Sequence, residues 1–193
     1  MKKDIILGGV GGQGILTIGA TIGTAAVNEG LFLKQSEVHG MSQRGGDVMS
    51  NLRISSNEVY SDLIPEGKAD LIIAVEPMEA LRHLNMLKPD GWFITNLKPF
   101  INIPGYPDMA LILQEIDSLK HHVSLDAEEI AKNIGSVKVA NMVMLGAAIP
   151  FLDIDFSAFE NAIKMIFGRK GQEIIDLNIA ALKAGIAETE KFL

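Results

Sequence analysis

The chain has 193 residues, 48% of them hydrophobic and 21% charged, with a formal net charge of −7 and no cysteine. This length and apolar share describe a folded chain with a substantial core. The acidic balance, with no basic run or stripe, argues against nucleic acid or an anionic membrane as the main partner. Without a thiol the chain cannot form a disulfide, use a cysteine nucleophile or hold an iron–sulfur cluster through thiolates.

Lys2 and Lys3 are followed by Asp4 and by only three apolar residues before the first glycines, and the apolar stretch 15–27 carries Thr17, Thr21 and Thr24. Neither segment suits a signal peptide or a membrane span, so a cytoplasmic protein with no membrane partner is expected. Ile5-Ile6-Leu7 predicts a buried strand, residues 12–28 a helix and residues 31–35 a second strand, a β–glycine loop–α–β opening of the doubly wound kind. Gly19 and Gly23, four apart, would let that helix lie close on the sheet. Residues 36–47 are polar and glycine-containing, which predicts a loop. From 48 to 54, Val48, Ser50, Leu52 and Ile54 share one face of a strand, and Asn51 and Arg53 the other. Ser55-Ser56-Asn57 followed by Glu58-Val59-Tyr60 predicts a hairpin return and therefore a mixed sheet.

Residues 69–75 form a further buried strand. Pro77 opens a helix expected to reach about Leu87, where Pro89-Asp90-Gly91 would stop it, and residues 92–95 form the next strand. Three prolines and a glycine make residues 99–107 an irregular loop; Asp108 then caps a helix to about Leu119, and residues 122–125 form a short strand. Asp126 caps a helix over 127–134 that Gly135 closes. Helices follow over 138–149 and 157–167 and from about Gln172 onward. The expected fold class is α/β: a three-layer doubly wound domain with a mixed, mostly parallel sheet and a helical C-terminal third, one domain spanning 1–193 with no internal repeat or linker.

Gly9-Val10-Gly11-Gly12-Gln13-Gly14 satisfies G-x-G-x-x-G between a strand and a helix. Glycines there permit a tight turn and let backbone N–H groups approach an anion at the helix N-terminus. The competing reading, glycines that serve only strand–helix packing, stays open. A dinucleotide dehydrogenase would also place an acid at the end of the second strand. Glu37 falls past the expected strand end, and no Gly-Lys-Ser/Thr makes the turn a P-loop.

The most distinctive stretch is Ser36-Glu37-Val38-His39-Gly40-Met41-Ser42-Gln43-Arg44-Gly45-Gly46-Asp47. Arg44 offers a planar fork and Gly45-Gly46 backbone donors, a set suited to a carboxylate or phosphate. A subunit-docking loop with Arg44 in an ion pair is the other reading, and the two are compatible. Together, the glycine turn and this loop resemble the gamma domain of 2-oxoacid:ferredoxin oxidoreductases, in the version found in the indolepyruvate-type enzymes. Asn141-Met142-Val143-Met144-Leu145-Gly146 and the spacing Asn178, Ala181, Gly185 resemble two helices of the same subunit.

The resemblance implies a Rossmann-like small subunit, inactive alone, that assists thiamine-dependent oxidative decarboxylation of arylpyruvates to acyl-coenzyme A, with ferredoxin as acceptor. It places thiamine diphosphate and the iron–sulfur clusters on a larger partner subunit, reaches ferredoxin through the complex, and implies a dimer of heterodimers. No catalytic and no metal-binding residue is assigned to this chain, and coenzyme A is the candidate ligand. The candidate cofactor-binding residues are Gly9, Gly11, Gly12, Gln13, Gly14, His39, Gln43, Arg44, Gly45 and Gly46. A free-standing nucleotide-binding protein for NAD(P), flavin or coenzyme A is the alternative. His83, His121 and His122 lack ligand partners at useful spacing and read as surface or partly buried side chains. Glu128 and Glu129 suit a helix start. Met142 and Met144 read as core or interface, and Asn141 and Asn178 as either helix hydrogen bonds or docking residues.

Overall fold

The computed structural model describes residues 1–40, 45–101 and 103–193. The chain runs β1 (Lys2–Val10), α1 (Ile15–Asn28), β2 (Phe32–His39), β3 (Asp47–Ser55), β4 (Ala69–Ala74), α2 (Pro77–Arg82), β5 (Leu87–Asn96), α3 (Met109–Asp117), β6 (His122–Leu125), α4 (Ala127–Ile134), α5 (Ala140–Ala148), α6 (Phe156–Phe167) and α7 (Gln172–Thr189). The sheet order is β2-β3-β1-β4-β5-β6. β1, β4, β5 and β6 are parallel neighbours, while β3 runs antiparallel to both β1 and β2.

Strand periodicity sorts the core into two layers. Ile5, Leu7, Leu52, Leu71, Ile73 and Ile94 face α1, α4, α5, α6 and α7. Ile6, Ile72, Ala74 and Phe93 face the other side, with Ala80 of α2 and Ile112 and Ile116 of α3. This is the expected mixed, mostly parallel, three-layer α/β arrangement. Gly19 and Gly23 do bring α1 down onto the sheet: a methyl group on them would lie 3.0 Å from Gln35 and 2.9 Å from Leu33 of β2.

Three local expectations are corrected. The hairpin partner of β3 is β2, in unbroken register from Phe32↔Ser55 to His39↔Val48, and not Glu58-Val59-Tyr60. Arg53 donates to the Ser61 and Leu63 carbonyls, and Asn51 Oδ1 accepts from Ile64 N. These bonds hold residues 57–64 as a loop over β3. Second, residues 36–39 belong to β2, so Glu37 lies within the strand. Third, α2 ends at Arg82, and Pro89-Asp90-Gly91 runs inside β5. A register shift between Ala69 and Leu71 absorbs it, which is how a strand accommodates a proline.

Two features brace the ends of the domain. Asp4, 1% exposed, is held by Arg53 through Nε at 2.8 Å and Nη2 at 3.2 Å. Helices α5 and α7 cross through glycine: a methyl on Gly185 would lie 2.0 Å from Val143 O, and one on Gly146 would lie 2.2 Å from Leu182 O.

Candidate functional site

The glycine turn sits where β1 leads to α1 on one face and β4 leads to α2 on the other. Such a switch point opens a crevice beyond the carboxyl ends of the strands. Gly9 ends up inside β1, where a methyl group would lie 2.4 Å from Val75. Gly12 has φ 105° and open space where a side chain would stand. Gly14, at φ 84°, forms the N-cap of α1, with Asn141 so close that a methyl would lie 2.5 Å from its Nδ2. Gln13 turns inward: Oε1 accepts from Val10 N at 2.8 Å, and Nε2 donates to Val75 O at 3.4 Å. Its amide locks the turn.

The second motif docks onto the first. Gly11 N donates to Gly46 O at 2.8 Å, Gly45 N donates to Gly11 O at 3.4 Å, and Gly40 N donates to Asp47 O at 2.9 Å. His39 is exposed and its Nε2 pairs with Glu37. Gln43 and Arg44 lie outside the described residues.

A cleft of about 660 Å³ opens beside the turn, lined by Gly12, Gln13 and Gly14, by Val75 and Asn96 at the strand ends, and by Ser136, Lys138, Asn141, Lys170 and Asn178 from the helical third. Asn141 Nδ2 donates to Gly14 O at 3.2 Å, joining sequence motifs 127 residues apart. Asn178 instead back-bonds within α7, to Ile174 O at 2.7 Å. Asn96 spans the floor: Nδ2 donates to Val75 O at 3.2 Å and Oδ1 accepts from Ala127 N, the first residue of α4, at 3.0 Å. Two helices, α1 and α7, begin at or beside this cleft with no side chain among the described residues capping their N–H groups, while α5 continues from a turn over Val137–Val139 that Ser136 caps. Uncapped helix N-termini with Lys138 and Lys170 alongside favour an anionic ligand of the size of a nucleotide or its phosphates. Among the described residues Glu128 is the one acid on the wall, in the first turn of α4.

On the opposite face, α2 carries a polar cluster with little signal in the sequence, because glutamate is not a usual N-cap residue. Glu76, fully buried, accepts from Glu79 N at 2.8 Å, from Phe100 N at 3.3 Å and from the Tyr106 hydroxyl. Burial and this bond raise the Tyr106 pKa. Burial also pushes the Glu79 carboxyl above the usual carboxylate range, against the pull of Arg82, with Glu76 and Asp47 adding to the rise. It holds the His83 imidazole below its ordinary value, with Asp47 opposing. Glu79 Oε2 and His83 Nε2 have no hydrogen-bond partner among the described residues. Among those residues no group of three or more His, Asp or Glu side chains is placed to hold a metal ion, and no helix is long and apolar enough to cross a membrane. With no cysteine in the chain either, its residues do not fit an iron–sulfur cluster.

The sheet order, the switch-point crevice and the paired glycine loops define a doubly wound α/β domain. The chain belongs to the pyruvate ferredoxin/flavodoxin oxidoreductase family, whose model matches residues 4–188. It is 36% identical over 205 residues to the indolepyruvate oxidoreductase subunit IorB of Thermococcus kodakarensis, covering 100% of this chain and 99% of the relative. The IorB subunit of Archaeoglobus fulgidus is 38% identical over 96% of this chain and 94% of its own. Ketoisovalerate oxidoreductase subunit VorA of Methanothermobacter thermautotrophicus is 30% identical over 93% of this chain, which spans 35% of that protein. Among solved structures, the 2-oxoglutarate:ferredoxin oxidoreductase of Magnetococcus marinus, with 2-oxoglutarate, coenzyme A and succinyl-CoA bound, superposes with a TM-score of 0.79 at 25% identity. The match covers 98% of this chain and 31% of that one. A pyruvate oxidoreductase subunit of Thermotoga maritima shares the fold, with a TM-score of 0.74 at 21% identity over 96% of each chain. Each of these relatives is an oxidoreductase or a subunit of one, so a free-standing nucleotide-binding protein finds no support among them.

Proposed function

We propose that the chain is the small subunit of a cytoplasmic indolepyruvate-type 2-oxoacid:ferredoxin oxidoreductase, one domain over 1–193, and that its cleft binds the phosphate-bearing part of coenzyme A. The observation that carries the ligand assignment is the convergence at one cleft of the glycine turn, the uncapped N-termini of α1 and α7, and Lys138 and Lys170. Full-length similarity to IorB subunits supports the assembly. Thiamine diphosphate and the iron–sulfur clusters belong to a larger partner subunit in this reading, and supply decarboxylation and electron transfer to ferredoxin there. This chain's own part is to orient an anion. Gly12 lets backbone approach it, Gln13 and Asn141 hold the turn rigid, and the Gly45-Gly46 segment braces the turn from behind. His39, exposed at the end of β2, contacts the ligand or the partner subunit in this reading.

Co-expression with the large subunit should yield a complex that reduces viologen with arylpyruvates in a coenzyme A-dependent way. Lys138→Glu with Lys170→Glu should raise the KM for coenzyme A roughly tenfold or more, about 1.4 kcal/mol of lost binding, with complex yield unchanged. An unchanged KM would remove the ligand assignment. Decarboxylation of 2-oxoacids by the isolated chain would overturn the subunit reading.

A further inference from the structure

The side of the domain around α1 and β2 is incomplete as it stands. Helix α1, ILTIGATIGTAAVN, contains no charged residue at all. The outer face of a surface helix is ordinarily polar; here Leu16, Ala20 and Val27 are exposed, Leu16 by 57% and Val27 by 56%. Beside it a shallow groove of about 430 Å³ is floored by Leu33 and Gln35 and flanked by Ala20, Gly23, Thr24 and Met165. The groove ends at β2, the edge strand. β2 is eight residues long, without proline, glycine or bulge, and pairs with β3 on one side only. Natural edges are usually shortened, bulged or charged against further pairing; this one is full length and unbulged among the described residues, with Lys34 and the Glu37–His39 pair as its charged side chains.

The strand is also self-complementary. Phe32 and Val38 are its exposed large hydrophobics, on the face away from α1 and six residues apart. Two copies paired antiparallel about a two-fold axis normal to the sheet keep their faces. Each residue therefore opposes one of the same parity, and the axis must pass through a residue. An axis at Lys34 sets two lysines directly opposite each other, which is unfavourable. An axis at Ser36 leaves Phe32 opposite Gly40. An axis at Gln35 uses residues 32–38 of the strand, opposes Phe32 to Val38 twice and Lys34 to Ser36, and sets no like charges across from each other.

We propose that this surface docks a second copy of the same chain, with β2 pairing antiparallel to its counterpart about Gln35 and the uncharged faces of the two α1 helices brought together above the joined sheet. The contact supplies the two-fold axis of a dimer of heterodimers and to that extent rests on the assembly reading. It is tested on the full chain alone, so the two can fail separately.

The test uses light-scattering mass and oxidative cross-linking of the purified chain at tens of micromolar. The expected mass is that of a dimer, and Ala20→Glu with Phe32→Glu, both at exposed positions, should return it to a monomer without loss of helical circular dichroism. Because the chain has no cysteine, a Phe32→Cys, Val38→Cys double variant has no background. It should form an intermolecular disulfide under mild oxidation, since directly opposed strand residues have Cα atoms about 4.5–5.5 Å apart, within disulfide reach. Two positions six residues apart on one extended strand, roughly 20 Å, cannot bridge within a copy. A monomeric mass overturns the proposal, as does a dimer that neither cross-links nor responds to the glutamates. If the chain is monomeric and the glutamate variant loses co-purification with the large subunit, the surface belongs to that subunit and the second-copy reading is wrong.

Discussion

The crossing of α5 and α7 gives the most direct test of the packing. Gly185→Ala places a methyl carbon 2.0 Å from Val143 O and 2.6 Å from Ala147 N, against about 3.4 Å for an ordinary contact. Both obstacles are backbone atoms of α5, so no rotamer change relieves them and the helices must separate by well over an ångström. That separation strains the bond from Thr189 Oγ1 to Ala147 O, 2.8 Å long, and the contacts of Leu182 and Ala181. Overpacking of this kind costs about 3 kcal/mol, while alanine in place of a helical glycine returns about 1 kcal/mol. The expected net loss is about 2 kcal/mol, which lowers Tm by roughly 4–8 °C in a chain of this size. Thermal unfolding by circular dichroism reads it directly. If Gly185→Ala melts at the parent temperature or above, propensity outweighs contact and the close crossing is refuted.

Arg53→Met leaves Asp4 buried with, among the described residues, only Lys2 as a cation beside it, and frees the Ser61 and Leu63 carbonyls that hold residues 57–64. A loss of about 3 kcal/mol is expected, with protease sensitivity appearing in that loop; urea denaturation and limited proteolysis check the two parts. Glu79 titrates higher in the folded chain than in the unfolded one. Its contribution to stability is therefore present below its ordinary range and is lost as pH rises through the raised value. Glu79→Gln should remove that loss and flatten the stability–pH profile on its acidic side; an unaltered profile would show that Glu79 is solvated. His83 works in the opposite sense: its value is depressed, so stability falls as pH drops below about 6.5. His83→Gln should abolish that limb, read by urea denaturation between pH 5 and pH 8.

Elements governed by local chemistry were legible in the sequence. Asp108 and Asp126 cap α3 and α4 through their carboxylates, and Gly135 closes α4. Five glycines within residues 8–14, after a buried strand, are enough to announce the turn. Non-local pairing was not legible. The choice of β2 over residues 58–60 as the partner of β3 depends on Arg53 and Asn51 capturing a distant loop, and no period or turn signal records that. The same holds for Pro89-Asp90-Gly91, a helix stop by local chemistry that the bulge opposite Ala69 converts into strand. The cleft was half visible: its glycine turn could be read, but its Lys138 and Lys170 wall exists only once the C-terminal helices pack beside that turn, and the Glu76–Tyr106 knot on the other face joins the cap of α2 to a loop 30 residues on. Asn141 shows the boundary most clearly. Its motif stood out, and its partner, the Gly14 carbonyl, did not.

The carbonyl of Val75 receives one proton from Gln13 and another from Asn96, so both of its lone pairs are occupied. That carbonyl consequently has no lone pair left for a ligand, while the starts of α1 and α7 and the two lysines around it have protons to give. A ligand ammonium, which seeks an acceptor, gains nothing from that carbonyl; an oxyanion meets donors on the α1, Lys138 and Lys170 sides, away from Glu128. A preference for one sign of ligand is thus written into the floor by two amide side chains that need never touch the ligand.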